Sequence, residues 1–235
     1  MGKLIKNVTF FKLICLFLRL EKEMKKIICV LTFIFVIFIL SFQHSSAIDC
    51  PQGFTDAYVD FTYGNCNITI HYCHGRGPDG IWMVQIVDII IAWDPQCFAN
   101  LSINAAFMNI CMEQVRIHFQ NNGGPFPPCP VYSYTTIFKY AKCWAVKNVP
   151  PILGQGGYME LVDCGYEGGC LYRYKLCTDY SDPLKPENKM ELVDYLEIPS
   201  STCTGEMPEM PPPGETWFTE WTTICYGITC YFDIE

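Results

Sequence analysis

The chain lacks the short motifs by which many enzymes are recognised. It has no C-x-x-C pair, which excludes the thioredoxin-type redox site, c-type haem attachment and most zinc ribbons. It also has no G-x-S-x-G nucleophile elbow and no EF-hand calcium loop. The glycines of residues 75–77 and 154–157 lack the strand–turn–helix context of a phosphate-binding loop. We therefore predict no cofactor and no enzymatic activity.

Basic residues are scarce beyond residue 47. In that part of the chain, 9 Lys and Arg stand against 22 Asp and Glu, which gives a net charge of −13. Nucleic acids and anionic lipid surfaces are themselves negative and would repel such a protein. The composition therefore argues against a nucleic acid partner and predicts a soluble, acidic protein.

The longest uncharged apolar run, residues 27–40, lies near the N-terminus and follows two lysines. It is shorter than the ~20 residues that a membrane-spanning helix needs. Small residues at Ser45 and Ala47 complete the pattern of a secretory signal. We expect residues 1–47 to be a leader that starts at Met24 and is cleaved after Ala47; a retained signal anchor is the alternative. The mature protein would be secreted or extracellular, at the cell surface or in a periplasm, without stable membrane insertion.

Thirteen of the 15 cysteines follow residue 47, a density that predicts a disulfide framework in an exported chain. An odd number leaves one thiol that is either free and buried or paired with another chain. Cys66 and Cys73 are seven residues apart in one predicted strand, so we expect them on opposite faces with different partners. The disulfide candidates are Cys50, Cys66, Cys73, Cys97, Cys111, Cys129, Cys143, Cys164, Cys170, Cys177, Cys203, Cys225 and Cys230.

The hydrophobic pattern predicts an α+β fold. Alternation in residues 54–74 predicts a β-hairpin around a Gly64-Asn65 turn, and the apolar run 81–93 predicts a central strand. Apolar residues recur every three or four positions between Asn100 and Gln120, which predicts the one principal helix, capped by Asn100 or Ser102. An antiparallel meander is predicted from strands at 131–146, 158–164 and 170–178, and a further strand at 190–198. We therefore expect a disulfide-rich, mainly antiparallel β-sheet with one α-helix packed on it.

The composition divides the mature chain into three parts. Residues 48–205 are predicted to form the disulfide-rich domain, and the proline-rich residues 206–215 a linker. Residues 216–235 are predicted to form a β-hairpin or strand segment, which either folds back as an edge strand or pairs with a neighbouring molecule. The pentapeptide MELVD occurs twice, at 159–163 and 190–194, and could mark two strands with similar surroundings.

Two histidines are weak candidates for a metal site. His71, Cys73 and His74 are the only tight cluster of possible ligands. In a strand, however, His71 and Cys73 point one way and His74 the other, and Cys73 is expected in a disulfide. We therefore predict no metal and interpret both histidines as surface residues beside a loop. His118, off the apolar stripe of the helix, is predicted to face solvent.

Aromatic residues make up 15% of the chain. Their alternation in residues 131–146 has two interpretations: a stacking surface for sugars or a neighbouring subunit, or the core beneath the helix. We favour the core for most of them. The candidates for a binding or assembly surface are Tyr132, Tyr134, Tyr140, Trp144, Trp217 and Trp221.

The leading hypothesis is a secreted structural or interaction protein, such as a subunit of an extracellular filament, coat or matrix. It would associate with itself, or with an extracellular protein or polymer, through β-strand and aromatic contacts. One alternative is a secreted carbohydrate- or polymer-binding module. A second is a secreted hydrolase whose paired carboxylates no motif reveals.

Overall fold

The computed structural model describes residues 50–130, 134–152, 156–165, 168–200, 203 and 205–230. These residues form a mixed β-sheet with one principal helix and six disulfides, which confirms the predicted disulfide-rich α+β fold. The predicted leader and its cleavage site lie outside the described residues. In the part of the chain that the structure describes, neither helix combines the length and the apolar character needed to cross a membrane.

The described part of the chain has three strands, then two helices, then seven further strands. In chain order they are β1 (Phe54–Tyr63), β2 (Cys66–Arg76), β3 (Trp82–Ala92), α1 (Pro95–Asn100), α2 (Ala105–Asn122), β4 (Tyr134–Ala141), β5 (Cys143–Val149), β6 (Tyr158–Asp163), β7 (Gly169–Asp179), β8 (Glu187–Ile198), β9 (Trp221–Thr222) and β10 (Tyr226–Gly227).

β1 and β2 form the predicted hairpin, in which Gly64 adopts a positive φ of 59° in the turn. β3 is the predicted central strand. One of its edges pairs antiparallel with β2 along almost its whole length. The other edge is shared, because β4 pairs parallel with residues 82–85 and β6 pairs antiparallel with residues 88–92. The middle of β3 is therefore the point at which the sheet divides into two branches.

The principal helix begins later than predicted. Asn104, and not Asn100 or Ser102, caps α2 by accepting a hydrogen bond from the backbone N–H of Phe107 at 3.0 Å. Leu101 and Ile103 are both buried, and two buried residues two positions apart suit an extended segment better than a helix. The face of α2 that packs on the sheet consists of Phe107, Met108, Cys111, Met112, Val115 and Phe119.

The single strand predicted for 131–146 is interrupted at Lys142, where the chain bends between β4 and β5. The predicted meander is wrong for the same reason. Because β4 and β5 diverge, β6 pairs with β3 and β5, while β7 pairs with β4 and β8. β6 and β7, although consecutive, lie in different branches of the sheet.

The described part of the C-terminal segment packs on its own domain. β9 and β10 both pair antiparallel with β5, and Asn148 of β5 donates hydrogen bonds to the carbonyl oxygens of Trp217 and Thr219. Two disulfides, Cys164–Cys225 and Cys170–Cys230, also attach the segment to the domain. The six bridges are Cys50–Cys73, Cys66–Cys97, Cys129–Cys177, Cys143–Cys203, Cys164–Cys225 and Cys170–Cys230.

Candidate functional site

A buried histidine lies between two carboxylates on the sheet face opposite α2. Cross-strand pairing places His71 of β2 beside Tyr58 of β1 and Asp88 of β3. His71 Nδ1 lies 2.9 Å from Asp88 Oδ2, and its Nε2 lies 2.8 Å from Asp56 Oδ1. His71 and Asp88 are 2% and 4% exposed, whereas the side chain of Asp56 is 55% exposed. The group therefore has a fixed inner carboxylate and an outer one in contact with solvent.

The two carboxylates favour the charged form of the imidazole. The hydrogen bond with Asp88 raises the pKa of His71, burial opposes this, and the hydrogen bond with Asp56 raises the pKa further. With both ring nitrogens beside carboxylate oxygens, an imidazolium that donates to each of them satisfies the geometry. The ring of Tyr58 stacks on the imidazole with centroids 4.6 Å apart. The second oxygen of Asp88, Oδ1, is buried and has no hydrogen-bond partner among the described residues.

The disulfide Cys50–Cys73 borders this group. Cys50 Sγ lies 4.0 Å from His71 Nε2, and one ligand atom from each of Cys50, Asp56, His71 and Cys73 lies within 4.8 Å of the others. Bonded to each other, the two sulfurs are not thiolates and do not bind a metal in this form. The expected disulfide at Cys73 is present, and Cys66 and Cys73 have different partners as predicted.

His74 lies on the other face of β2, so the fold does not bring it together with His71. It packs against Trp82 and Phe119, and burial, with a smaller contribution from His118, lowers its pKa. The prediction that His71 and His74 are surface residues beside a loop is wrong for His71, which is buried in the sheet. His118 does not simply face solvent either: it is half-buried, and its Nδ1 lies 2.8 Å from the hydroxyl of Tyr72.

The aromatic candidates do not form one surface. Tyr140 and Trp144 are fully buried, and the indole N–H of Trp144 donates to the carbonyl of Ala141. Trp221 is also buried, Trp217 is half-buried, and only Tyr134, at 44%, is well exposed. Tyr132 lies outside the described residues. The core interpretation therefore describes Tyr140 and Trp144, because both belong to the cluster of packed, buried side chains.

Two carboxyl groups of β6 have raised pKa values. Burial raises the pKa of Glu160, against the attraction of Lys147 opposite it, and burial also raises the pKa of Asp163. The hydrolase hypothesis requires two carboxyl groups with perturbed pKa values. A cleft of about 830 Å³ lies elsewhere and is lined by residues of α2, β7 and β8 that include Gln120 and Lys175.

An exposed edge strand is the second notable feature. In the described part of the chain, β8 pairs with β7 alone, and five of its large apolar side chains are between 38% and 57% exposed. They are Leu192, Val193, Tyr195, Leu196 and Ile198. A long edge strand with exposed apolar residues offers unpaired backbone groups to another strand.

Sequence reasoning missed Asp56, Asp88 and the β8 edge. One signal for Asp88 was available, because a charged residue within the apolar run 81–93 of a central strand needs a buried partner. Asp56 carries no such signal, since only the register of β1 against β2 brings it to His71. For β8, the sequence contains MELVD twice, but which of the two strands lies at the edge follows from the bend at Lys142.

No family model matches the chain, and neither a curated protein nor a solved structure does.

Proposed function

We propose that the mature chain is a secreted structural or interaction protein that assembles with a second copy of itself through β8. The two occurrences of MELVD support this proposal most directly. In β6 the pentapeptide has a strand on each side, and Met159 and Leu161 are fully buried. In β8 the same residues pair with β7 alone among the described strands, and Leu192 and Val193 are exposed. The sequence of β8 therefore suits a strand that is paired along both edges.

The charges of β8 favour an antiparallel arrangement of two copies. Parallel, in-register pairing would place Glu191 and Asp194 beside their own counterparts, which is unfavourable. Antiparallel pairing with Leu192 opposite Tyr195 of the second copy instead places Glu191 opposite Leu196. Leu192 and Tyr195 face the same side of the sheet, because they pair with Tyr174 and Tyr172 of β7. No like charges are opposed in this register, and a two-fold axis relates the copies.

The irregularities of β8 restrict the partner. The register against β7 shifts between Arg173 and Tyr174, where Val193 is the additional residue of a bulge. Bulges and charged side chains are the means by which proteins limit indiscriminate edge pairing. A second copy carries the same bulge and the same charges, so it can match them where an unrelated strand cannot.

The disulfides support export. Six bridges in one chain are typical of an oxidising environment outside the cytosol. Together with the leader pattern of residues 1–47, they support secretion as part of the proposal.

Sedimentation velocity of the mature protein over a range of concentrations tests the assembly. We expect a dimer, and we expect Leu192→Lys to raise its dissociation constant about tenfold or more, since symmetry removes the Leu192–Tyr195 pair twice. Leu184→Lys is the matched control, because Leu184 is 92% exposed in the loop before β8. A monomeric wild-type protein, or equal effects of the two substitutions, would contradict the proposal.

The polymer-binding alternative has one supporting observation at a different place. Tyr140 and Trp144 are buried, but Phe218 is 73% exposed and its ring lies 6.0 Å from that of Trp93, which also contacts Phe98. An exposed aromatic ring supported from below can stack on a sugar. A pull-down on insoluble polysaccharides tests this alternative. The wild-type protein should bind, Phe218→Ala should not, and Ile224→Ala should bind as the wild type does. Ile224 is the control because it is 68% exposed.

A further inference from the structure

His71 and the groups around it together offer the donor atoms of a metal site, although the disulfide form does not bind a metal there. The cluster of Cys50, Asp56, His71 and Cys73 offers two sulfurs, one imidazole nitrogen and one carboxylate oxygen within 4.8 Å of one another. Zinc binds sets of this kind in a tetrahedral arrangement, with ligand bonds of about 2.0–2.3 Å. Among the described residues, no other group of three or more such side chains converges in this way.

The surroundings of His71 are those of a histidine ligand. Histidines that bind metals usually donate their second ring N–H to a carboxylate, which fixes the tautomer and the ring orientation. Asp88 has this position, with Oδ2 2.9 Å from His71 Nδ1, and it is 4% exposed. The other nitrogen, Nε2, points towards Asp56 Oδ1 at 2.8 Å and Cys50 Sγ at 4.0 Å. Asp88 therefore orients the nitrogen that faces the other three donor groups.

We propose that the reduced Cys50–Cys73 pair binds one zinc ion together with His71 Nε2 and a carboxylate oxygen of Asp56. A dithiol or phosphine reductant supplies two electrons, which break the S–S bond and, with two protons, give two thiols. Zinc then displaces the proton of each thiol and the proton on His71 Nε2, so that all four donors are deprotonated. The disulfide and the zinc ion are thus alternative cross-links between residue 50 and β2.

The required movement is small. His71 and Cys73 are buried within β2, paired on both sides, so their positions are fixed. Cys50 is half-buried and precedes β1 by a short segment in which Gly53 has a positive φ of 88°. The sulfur of Cys50 can therefore move away from that of Cys73 to the spacing of two zinc ligands without disturbing the sheet.

The test uses the mature protein, reduced without oxygen by a thiol-free phosphine and then given zinc chloride. Zinc per chain is measured by atomic emission after gel filtration, and free thiols are alkylated and mapped by peptide mass spectrometry. We expect one zinc per chain and alkylation of Cys50 and Cys73 at least about tenfold slower with zinc than without it. Zinc affinity, measured against a chromogenic chelator, should fall about 10–100-fold in Asp88→Asn.

Asp56→Asn and Asp60→Asn form the matched pair, because both aspartates lie on β1 and point to the same face. We expect Asp56→Asn to weaken zinc binding and Asp60→Asn to leave it unchanged. Circular dichroism of each reduced sample records whether the sheet persists. The proposal is overturned if no zinc is retained, or if zinc protects cysteines other than Cys50 and Cys73. It is also overturned if the reduced chain is unfolded and binds zinc equally in Asp56→Asn and Asp60→Asn.

Discussion

Leu161 and Leu192 are the same residue in two copies of the pentapeptide MELVD, yet Leu161 is fully buried and Leu192 is 38% exposed. The difference comes from their neighbours. β6 lies between β3 and β5, whereas β8 has only β7 beside it among the strands of the described residues. Position in the sheet, and not local sequence, therefore decides how much each leucine contributes to stability.

Alanine at these two positions should have very different effects on the free energy of unfolding. Leu161→Ala leaves a cavity in the core and should cost about 2–5 kcal/mol. Leu192→Ala removes a side chain that is partly in water already and should cost less than about 1 kcal/mol in the monomer. Urea unfolding at a concentration too low for association measures both. Similar losses would show that β8 is covered within its own chain.

Local pattern was sufficient where an element depends on its own residues. The hairpin of β1 and β2 follows from alternation and the Gly64 turn, and α2 follows from its apolar stripe. The order of strands depends instead on the bend at Lys142, which no pattern marks. The same limit applies to the candidate site, because Asp56 and Asp88 lie 15 and 17 residues from His71 in sequence and meet it only through strand register. The aromatic alternation of residues 134–144 was visible, but which face α2 covers was not.

The inner carboxylate of the His71 group should matter more to folding than the outer one. Asp88→Ala removes the buried partner of a buried imidazolium and should cost about 3–5 kcal/mol. Asp56→Ala also removes a hydrogen bond to His71, but the Asp56 side chain is 55% exposed and water can replace it, so the expected cost is below about 1 kcal/mol. Chemical unfolding of the oxidised protein at neutral pH compares the two. Equal costs would mean that His71 does not depend on Asp88 for its charge.

The odd cysteine is Cys111, which is free and fully buried in the face of α2 that packs on the sheet. Burial raises the pKa of its thiol, so almost no thiolate is present near neutral pH, and alkylating agents have no access to the sulfur. We expect the native, unreduced mature protein, residues 48–235, to take up no carbamidomethyl group from iodoacetamide and the same protein unfolded in urea to take up one, at Cys111. Intact mass and peptide mapping measure this, and Cys111→Ala, which should take up none in either state, is the control. Rapid labelling of the native protein would contradict the burial of Cys111, and labelling at another cysteine would contradict the six bridges. Because Cys111 is enclosed, the dimer proposed for β8 should also form unchanged in Cys111→Ala, which separates strand pairing from an intermolecular disulfide as the cause of association.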